Sequence, residues 1–121
     1  MKRDMELIRK MVLTLEDTSG GFAPAELHID GYTDEQIGYH AYLMIQAGLA
    51  TGSDVTDMGS SGPEAILTSL TWAGHEFADA ARDETRWKKA MGIVKEKSES
   101  VTLAVLTQLL TALMRGALGL P

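Results

Sequence analysis

The chain has 121 residues, of which 45% are apolar, and this suffices for a hydrophobic core. It contains no cysteine, which excludes disulfides, thiolate metal sites and cysteine nucleophiles. Its formal net charge is −6, and residues 11–81 contain eleven acidic residues and no lysine or arginine. Such an acidic stretch repels the phosphates of nucleic acids and favours basic partners.

The hydropathy of the chain gives no sign of a membrane segment. No stretch reaches the roughly 18 consecutive apolar residues that span a bilayer. The opening residues, MKRDMELIRK, have charged side chains scattered among the apolar ones and lack the continuous apolar run of a secretory signal. We therefore expect a protein without a membrane segment that resides in the cytoplasm.

The first predicted elements are a helix and a short strand. Residues 2–16 predict a helix, because apolar residues recur at the three- and four-residue spacing of one buried face. These apolar residues are Met5, Ile8, Val12 and Leu15. The helix is expected to end at the glycine-rich residues 19–21. Residues 26–29 then predict a short strand, which Asp30 and Gly31 end with a turn.

A second helix and a hairpin are predicted next. Thr33 is followed three residues later by Gln36, which is the spacing of a capping box and predicts a helix that begins here. Gly48 predicts the end of this helix, because glycine readily adopts the left-handed conformation of a helix cap. Strands are predicted at residues 49–54 and 65–71, on either side of a polar, glycine-rich tip.

Three further helices are predicted in the remainder of the chain. The first begins near Thr71, the second spans residues 84–96, and the third spans about 101–115. A polar break at residues 97–100 separates the last two. Three aromatic side chains are expected to pack against neighbouring elements rather than form a cofactor site: Trp72, Phe77 and Trp87.

The last predicted helix is apolar on nearly every side. Its main stripe consists of Leu103, Leu106, Leu110 and Leu113, and its other side carries Val105, Leu109 and Met114. A helix of this kind needs cover on more than one side, which a small domain rarely supplies alone. We therefore predict a homodimer that forms through the leucine stripe.

The order helix, short strand, helix, hairpin is typical of a winged helix-turn-helix domain. The predicted fold class is α+β and mostly helical, with the winged helix at residues 1–82 and a C-terminal helical extension at residues 83–121 that dimerises. The helix at 33–47 takes the position of a recognition helix, and the hairpin at 49–71 takes the position of the wing.

Three stretches of the sequence are similar to a known family. They are MKRDMELIRK, GYTDEQIGYH and, most specifically, LTWAGHEFADAARDETRWKKAMGIVK. On these stretches the chain resembles the family catalogued as domain of unknown function 2513, a group of short bacterial and often prophage-borne proteins. The resemblance covers nearly the whole chain. It implies a winged helix and a phage-associated context, and it implies no established activity and no catalytic residues.

His75, Glu76 and Asp79 are the strongest candidates for a metal site. A zinc-protease helix needs two histidines four residues apart, but Asp79 stands at the second position and is expected to pair with Arg82 on the surface. No serine lies in a GxSxG elbow, and no glycine-rich turn carries a phosphate-loop lysine. We therefore predict no enzyme, metal or cofactor, and keep a metal-dependent enzyme that uses His75 as the third hypothesis.

DNA binding is the function that a winged helix suggests, but the charges oppose it. A recognition helix needs basic residues near the phosphates, whereas this helix opens with Asp34 and Glu35. A DNA-binding transcriptional regulator is therefore the second hypothesis, and it uses the basic segment at residues 82–97. Its contacts would be Arg82, Arg86, Lys88 and Lys89, of which Lys88 is also expected to pair with Glu84.

The favoured hypothesis is a small noncatalytic regulatory protein that binds a protein partner. Its binding residues would be Asp34, Glu35, Tyr39 and Tyr42, which we call the acidic face. The carboxylates would meet a basic partner surface, and exposed tyrosines are frequent interface anchors. In the phage context that the resemblance implies, the partner would be a host defence or nucleic-acid-binding factor that this protein inhibits.

Overall fold

The computed structural model describes residues 1–97 and 100–121. Over these residues the fold is α+β and mostly helical, as predicted, with a two-stranded antiparallel sheet. Ser98 and Glu99, in the predicted polar break, lie outside the described residues. The elements are α1 (Met5–Glu16), a 3-10 turn (Ser19–Gly21), α2 (Asp34–Gln46), β1 (Ala50–Asp54), β2 (Ala65–Leu70), α3 (Trp72–Ala81), α4 (Glu84–Glu96) and α5 (Leu103–Ala117).

The chain divides into two compact units, Met1–Ala78 and Asp79–Pro121. In the first unit α1 and α2 supply the largest fully buried apolar side chains, which are Leu7, Met11, Val12 and Met44. In the second unit α4 packs against α5, and the buried residues of these two helices are Trp87, Ala90, Leu106 and Leu110. Each unit therefore contains apolar residues removed from water, which is the main stabilising contribution to a fold.

The first helix begins three residues later than predicted. Asp4 has an extended backbone, and its Oδ1 accepts hydrogen bonds from the backbone N–H groups of Glu6 at 2.9 Å and Leu7 at 3.3 Å. An aspartate in this role satisfies two of the N–H groups that a helix start leaves without intrahelical partners. The cap therefore decides the boundary, while the predicted apolar stripe is buried.

The strand predicted at residues 26–29 is wrong. These residues lie within the described part of the chain, and they form no strand. The backbone N–H of Ala23 does donate to the carbonyl oxygen of Thr68 at 2.7 Å. The backbone then bends at Ala25 and Glu26, which ends the pairing. The segment therefore touches β2 once and then separates from it.

The predicted hairpin is confirmed. Ser53 pairs with Ile66 and Asp54 pairs with Ala65, and the register shifts between Thr51 and Gly52. A Cβ atom at Gly52 would overlap the carbonyl oxygen of Ile66 and lie 2.9 Å from Cδ1 of Ile45. Glycine is therefore required where the irregular strand passes close to both β2 and α2.

The expected packing is correct for two of the three aromatic residues. Phe77 and Trp87 are buried, but Trp72 is 81% exposed and its indole N–H donates to Oε1 of Glu76. Trp72 and Phe77 are five residues apart, which corresponds to about 140° around a helix axis of 3.6 residues per turn. The two rings therefore point to different sides of α3, and only Phe77 faces the interior.

The leucine stripe of α5 is buried at its centre and open at its ends. Leu106 and Leu110 are fully buried, whereas Leu103 and Leu113 are half-buried rather than buried as expected. Val105, on the other side, is 53% exposed. Within residues 1–97 and 100–121, no helix combines the length and the hydropathy needed to cross a bilayer.

Candidate functional site

The N-terminus of α2 is fixed by the predicted capping box. The backbone N–H of Gln36 donates to Oγ1 of Thr33 at 3.1 Å, and the backbone N–H of Thr33 donates to Oε1 of Gln36 at 2.8 Å. Asp34 and Glu35 follow the cap directly, and both side chains are exposed. The positive end of the helix dipole stabilises their negative charges at this position. The structure therefore presents two carboxylates to solvent at a capped helix end.

Tyr39 and Tyr42 lie one and two turns further along the same helix and are half-buried. The ring of Tyr39 meets the His40 ring edge-on, with centroids 5.7 Å apart. The hydroxyl of Tyr42 accepts a hydrogen bond from Nε2 of Gln46 at 3.0 Å. Both rings are therefore held in place on one side while part of their surface remains accessible.

Two of these residues line an open cleft beside the hairpin tip. Glu35 and Tyr39 form one wall, and residues 59–64 form the other, around a volume of about 510 Å³. The tip is held by its own hydrogen bonds, including one from the hydroxyl of Ser60 to Oε1 of Glu64 at 2.7 Å. Asp34 does not line this cleft and borders a separate groove instead.

The hairpin adds further negative charge to this unit. Hydrogen bonds from Thr56 lower the pKa of the Asp54 carboxyl below its ordinary value. The larger contribution comes from the Thr56 hydroxyl and the smaller from its backbone N–H. Hydrogen bonds to the charged form favour it. Asp54 therefore remains ionised at neutral pH and reinforces the acidic character of residues 11–81.

Two of the four basic residues that are the alternative DNA contacts already form ion pairs with acidic residues. Nη2 of Arg82 lies 2.7 Å from Oδ1 of Asp79, and Nζ of Lys88 lies 3.5 Å from Oε1 of Glu84. Both pairs are predicted from the sequence, and both are confirmed. The remaining two members of the set, Arg86 and Lys89, lie on α4, half-buried and exposed respectively.

The residues around His75 do not come together as a metal site. His75 is exposed on α3. Glu76 accepts the Trp72 indole N–H, and Asp79 pairs with Arg82. Within the described residues, no three histidine, aspartate or glutamate side chains converge in a way that could hold a metal ion.

His40 is a buried histidine with two hydrogen bonds, and it belongs to none of the motifs predicted from the sequence. Its side chain is fully buried. Nε2 accepts the backbone N–H of Asp4 at 2.8 Å, and Nδ1 donates to the carbonyl oxygen of Gln36 at 2.8 Å. The partners fix the tautomer, because an amide N–H can only donate and a carbonyl can only accept. His40 also lies on the buried stripe with Ile37 and Met44, which is the signal that could have identified it.

Comparison with known proteins places this chain in a family. The model of the family described as "Hypothetical protein (DUF2513)" matches residues 2–100. The chain belongs to this family. It is also 35% identical over 111 residues to a Haemophilus influenzae protein named "Uncharacterized protein", with 89% of this chain and 91% of that protein covered. No solved structure matches the chain significantly. The resemblance noted in the sequence is therefore confirmed at the level of the family.

Proposed function

We propose that this protein is a small noncatalytic regulator that binds a protein partner through its acidic face. The observation that carries the proposal is the exposed pair Asp34 and Glu35 at a capped helix end, beside two partly accessible tyrosines. Charged residues at an interface mainly provide specificity and fast association, while aromatic residues supply most of the binding energy. This combination suits recognition of a basic protein surface.

The proposal includes a winged-helix arrangement of the first unit. The helices α1 and α2 and the hairpin of β1 and β2 follow the winged-helix order without its short strand, which residues 26–29 do not form. In this arrangement α2 takes the position of a recognition helix and the hairpin takes the position of the wing. The hydrogen bond from Ala23 to Thr68 lies where such a fold carries its first, short strand. Fold alone does not determine function, so the chemistry of the α2 surface decides what is bound.

The charge of the α2 surface disfavours binding to DNA. The elements that would meet DNA lie within residues 11–81, which contain no lysine or arginine. Counterion release by basic residues supplies nearly all nonspecific affinity for DNA. Of the basic residues proposed instead, Arg82 and Lys88 already have acidic partners. A phosphate backbone would therefore meet repulsion at α2 and partly neutralised basic side chains at residues 82–89.

The same charges suit a partner that normally binds nucleic acid. An acidic face carries the sign of a phosphate backbone, so it can engage the basic surface of a nucleic-acid-binding protein by electrostatic complementarity. In the phage-associated context of the family resemblance, we propose that the partner is a host defence or nucleic-acid-binding factor that this protein inhibits. We further propose a cytoplasmic location and a homodimer through α5, for which the partly open leucine stripe is the supporting feature.

Titration of fluorescent random-sequence duplex DNA distinguishes the proposal from the DNA-binding alternative. At about 50 mM salt, where phosphate contacts are strongest, we expect no change in fluorescence anisotropy up to high micromolar protein. Binding that falls steeply at about 200 mM salt, and that is lost when Arg82, Arg86, Lys88 and Lys89 are all replaced by alanine, would contradict the proposal. It would instead identify a DNA-binding regulator that uses the second unit.

A further inference from the structure

The cleft beside the hairpin tip contains two carboxylates that no basic side chain neutralises. It is lined by Glu35 and Tyr39 of α2 and by residues 59–64 of the tip, together with Met1, and this lining contains no lysine, arginine or histidine. Within residues 1–97 and 100–121, no basic side chain forms an ion pair with Glu35 or Glu64. Both carboxylates are therefore available to a cation from another molecule.

The Glu64 carboxylate is held in a defined position beside α2. Its Oε1 accepts the hydroxyl of Ser60 at 2.7 Å. Its Oε2 lies 3.5 Å from the position that a Cβ of Gly38 would occupy, and in the described part of the chain it accepts no hydrogen bond. Glu35, Gly38 and Tyr39 share one side of α2, because successive residues turn by about 100° around a helix axis. Oε2 therefore lies beside the side of α2 that carries Glu35 and Tyr39.

The combination of two carboxylates with an accessible aromatic ring favours an organic cation. Tyr39 is half-buried, and its ring is held edge-on against His40. A guanidinium group is planar, stacks on aromatic rings and binds carboxylates through a fork of N–H donors. A hard metal ion would need about six oxygen ligands. The cleft volume of about 510 Å³ also lies within the usual range of small-ligand sites.

We propose that this cleft binds one arginine side chain of the protein partner, with its guanidinium group between Glu35 and Glu64 and against the ring of Tyr39. Met1 and Pro63 also line the cleft and offer apolar surface to the aliphatic part of the side chain, which packs in this way at many surfaces. Arginine is one of the residues that supply most of the binding energy at interfaces. This inference rests on the proposed function and specifies which group of the partner the acidic face recognises.

Short peptides test the proposal with the full chain. A capped pentapeptide with one arginine between glycines is titrated into isotopically labelled protein, beside its lysine and citrulline counterparts, and backbone amide shifts are followed by NMR. Citrulline has the shape of arginine without its charge, so we expect it to bind about tenfold more weakly. Lysine lacks the planar fork, and we expect it to bind about threefold more weakly. An arginine peptide that binds no more tightly than either counterpart would overturn the proposal.

Two carboxylate variants locate the binding to the cleft. Glu64→Gln removes the charge but keeps an oxygen that can accept the Ser60 hydroxyl, and we expect it to weaken binding of the arginine peptide about fivefold. Asp34→Asn removes the same charge from a residue of the acidic face that does not line the cleft, and it should weaken binding less than about twofold. Equal weakening in both variants would overturn the cleft in favour of a diffuse electrostatic attraction.

A pair of tyrosine variants tests the aromatic wall. Tyr39→Leu removes the ring that lines the cleft, and we expect it to weaken binding of the arginine peptide about threefold. Tyr42 lies on the same helix but does not line the cleft, so Tyr42→Leu should leave binding nearly unchanged. Equal effects of the two variants would overturn the contact between the guanidinium group and the Tyr39 ring.

The outcomes distinguish this inference from the proposed function. One side chain binds weakly by itself, so we expect a dissociation constant in the millimolar range, and an arginine peptide that does not bind at about 10 mM overturns the inference. If Asp34→Lys/Glu35→Lys nevertheless abolishes capture of a basic protein from lysate, the acidic face stands without the cleft. If that double variant leaves capture unchanged as well, both are overturned.

Discussion

Replacing Gly74 with alanine is expected to destabilise the protein by about 3 kcal/mol, at the upper end of the usual range for overpacking. Gly74 lies in the first turn of α3, where the helix passes close to Leu49, between α2 and β1. A Cβ atom there would overlap the carbonyl oxygen of Leu49 and lie 3.1 Å from its carbonyl carbon and 3.0 Å from Cδ2 of Leu70. Backbone atoms cannot rotate away as a flexible side chain can, so the strain must move a whole element.

The surrounding hydrogen bonds increase this cost. The hydroxyl of Thr71 donates to the carbonyl oxygen of Gly48 at 2.5 Å and accepts the backbone N–H of Gly74 at 3.1 Å, and the backbone N–H of Thr71 donates to the Leu49 carbonyl oxygen at 3.0 Å. Any shift of α3 that relieves the Gly74→Ala overlap strains these three bonds together. The start of α3 therefore has little freedom to adjust.

Gly92→Ala is the matched control, because the same substitution meets open space there. Gly92 lies inside α4 with no atom within 4 Å of an added Cβ. Alanine is the better helix former, so this variant should gain up to about 1 kcal/mol. Urea denaturation of both variants measures the two effects. A Gly74→Ala protein as stable as the Gly92→Ala protein would contradict the close approach of α3 to Leu49.

His40→Ala is expected to cost about 3 kcal/mol of unfolding free energy, since it removes a buried side chain and leaves a polar group without its partner. His40 is the acceptor for the backbone N–H of Asp4. The side chain of Asp4 is already occupied by the first turn of α1. His40 therefore fastens the start of α1 to α2, and its loss should also loosen the helix that bears the acidic face.

His28→Ala provides the control for the histidine variant. His28 is exposed, with its nearest carboxylate, that of Asp30, 3.2 Å away on the surface. Surface substitutions of this kind usually change stability by no more than about 0.5 kcal/mol. Urea midpoints measured at neutral pH for both variants make the comparison. Equal stability of the His40→Ala and His28→Ala proteins would contradict the buried link between α1 and α2.

Features that depend on neighbouring residues in the sequence could be predicted. Thr33 and Gln36 form their capping box within one helical turn, and the pairs of Asp79 with Arg82 and Glu84 with Lys88 need only helical spacing. The hairpin also followed from local composition. These features locate Asp34 and Glu35 at a helix start without knowledge of the tertiary structure.

Features that depend on distant contacts could not be predicted in the same way. Residues 26–29 resemble a strand, but a strand exists only through its partner, and the backbone bends at Ala25 and Glu26 before the pairing can continue. The exposure of Trp72 depends on which side of α3 faces the core. The bond of His40 to Asp4 spans 36 residues, so no local pattern specifies it.

The candidate site also has features that local sequence predicts and features that depend on distant contacts. The exposure of Asp34 and Glu35 follows from the sequence, because it is set by the start of one helix. The cleft beside Glu35 and the groove beside Asp34 arise only when the hairpin folds against α2. Gly38 contributes to this approach, because a Cβ there would lie 3.2 Å from Cβ of Glu64. Such a close approach favours glycine, but the sequence alone does not reveal what approaches it.

The central claim is that Asp34 and Glu35 bind a basic protein partner, and a capture experiment with charge-reversed proteins tests it most directly. The wild type, Asp34→Lys/Glu35→Lys and a control, Asp17→Lys/Glu96→Lys, are immobilised in parallel and exposed to bacterial lysate. The control reverses two exposed acids outside the acidic face, so both variants change the net charge equally. Quantitative mass spectrometry then compares the captured proteins.

We expect the wild type and the control to retain the same protein with a basic surface, and the Asp34→Lys/Glu35→Lys protein to lose it, because the interaction is electrostatic at the acidic face. Circular dichroism verifies that the three proteins are equally folded. Equal capture by all three proteins, or equal loss from both variants, would contradict the proposed role of the acidic face.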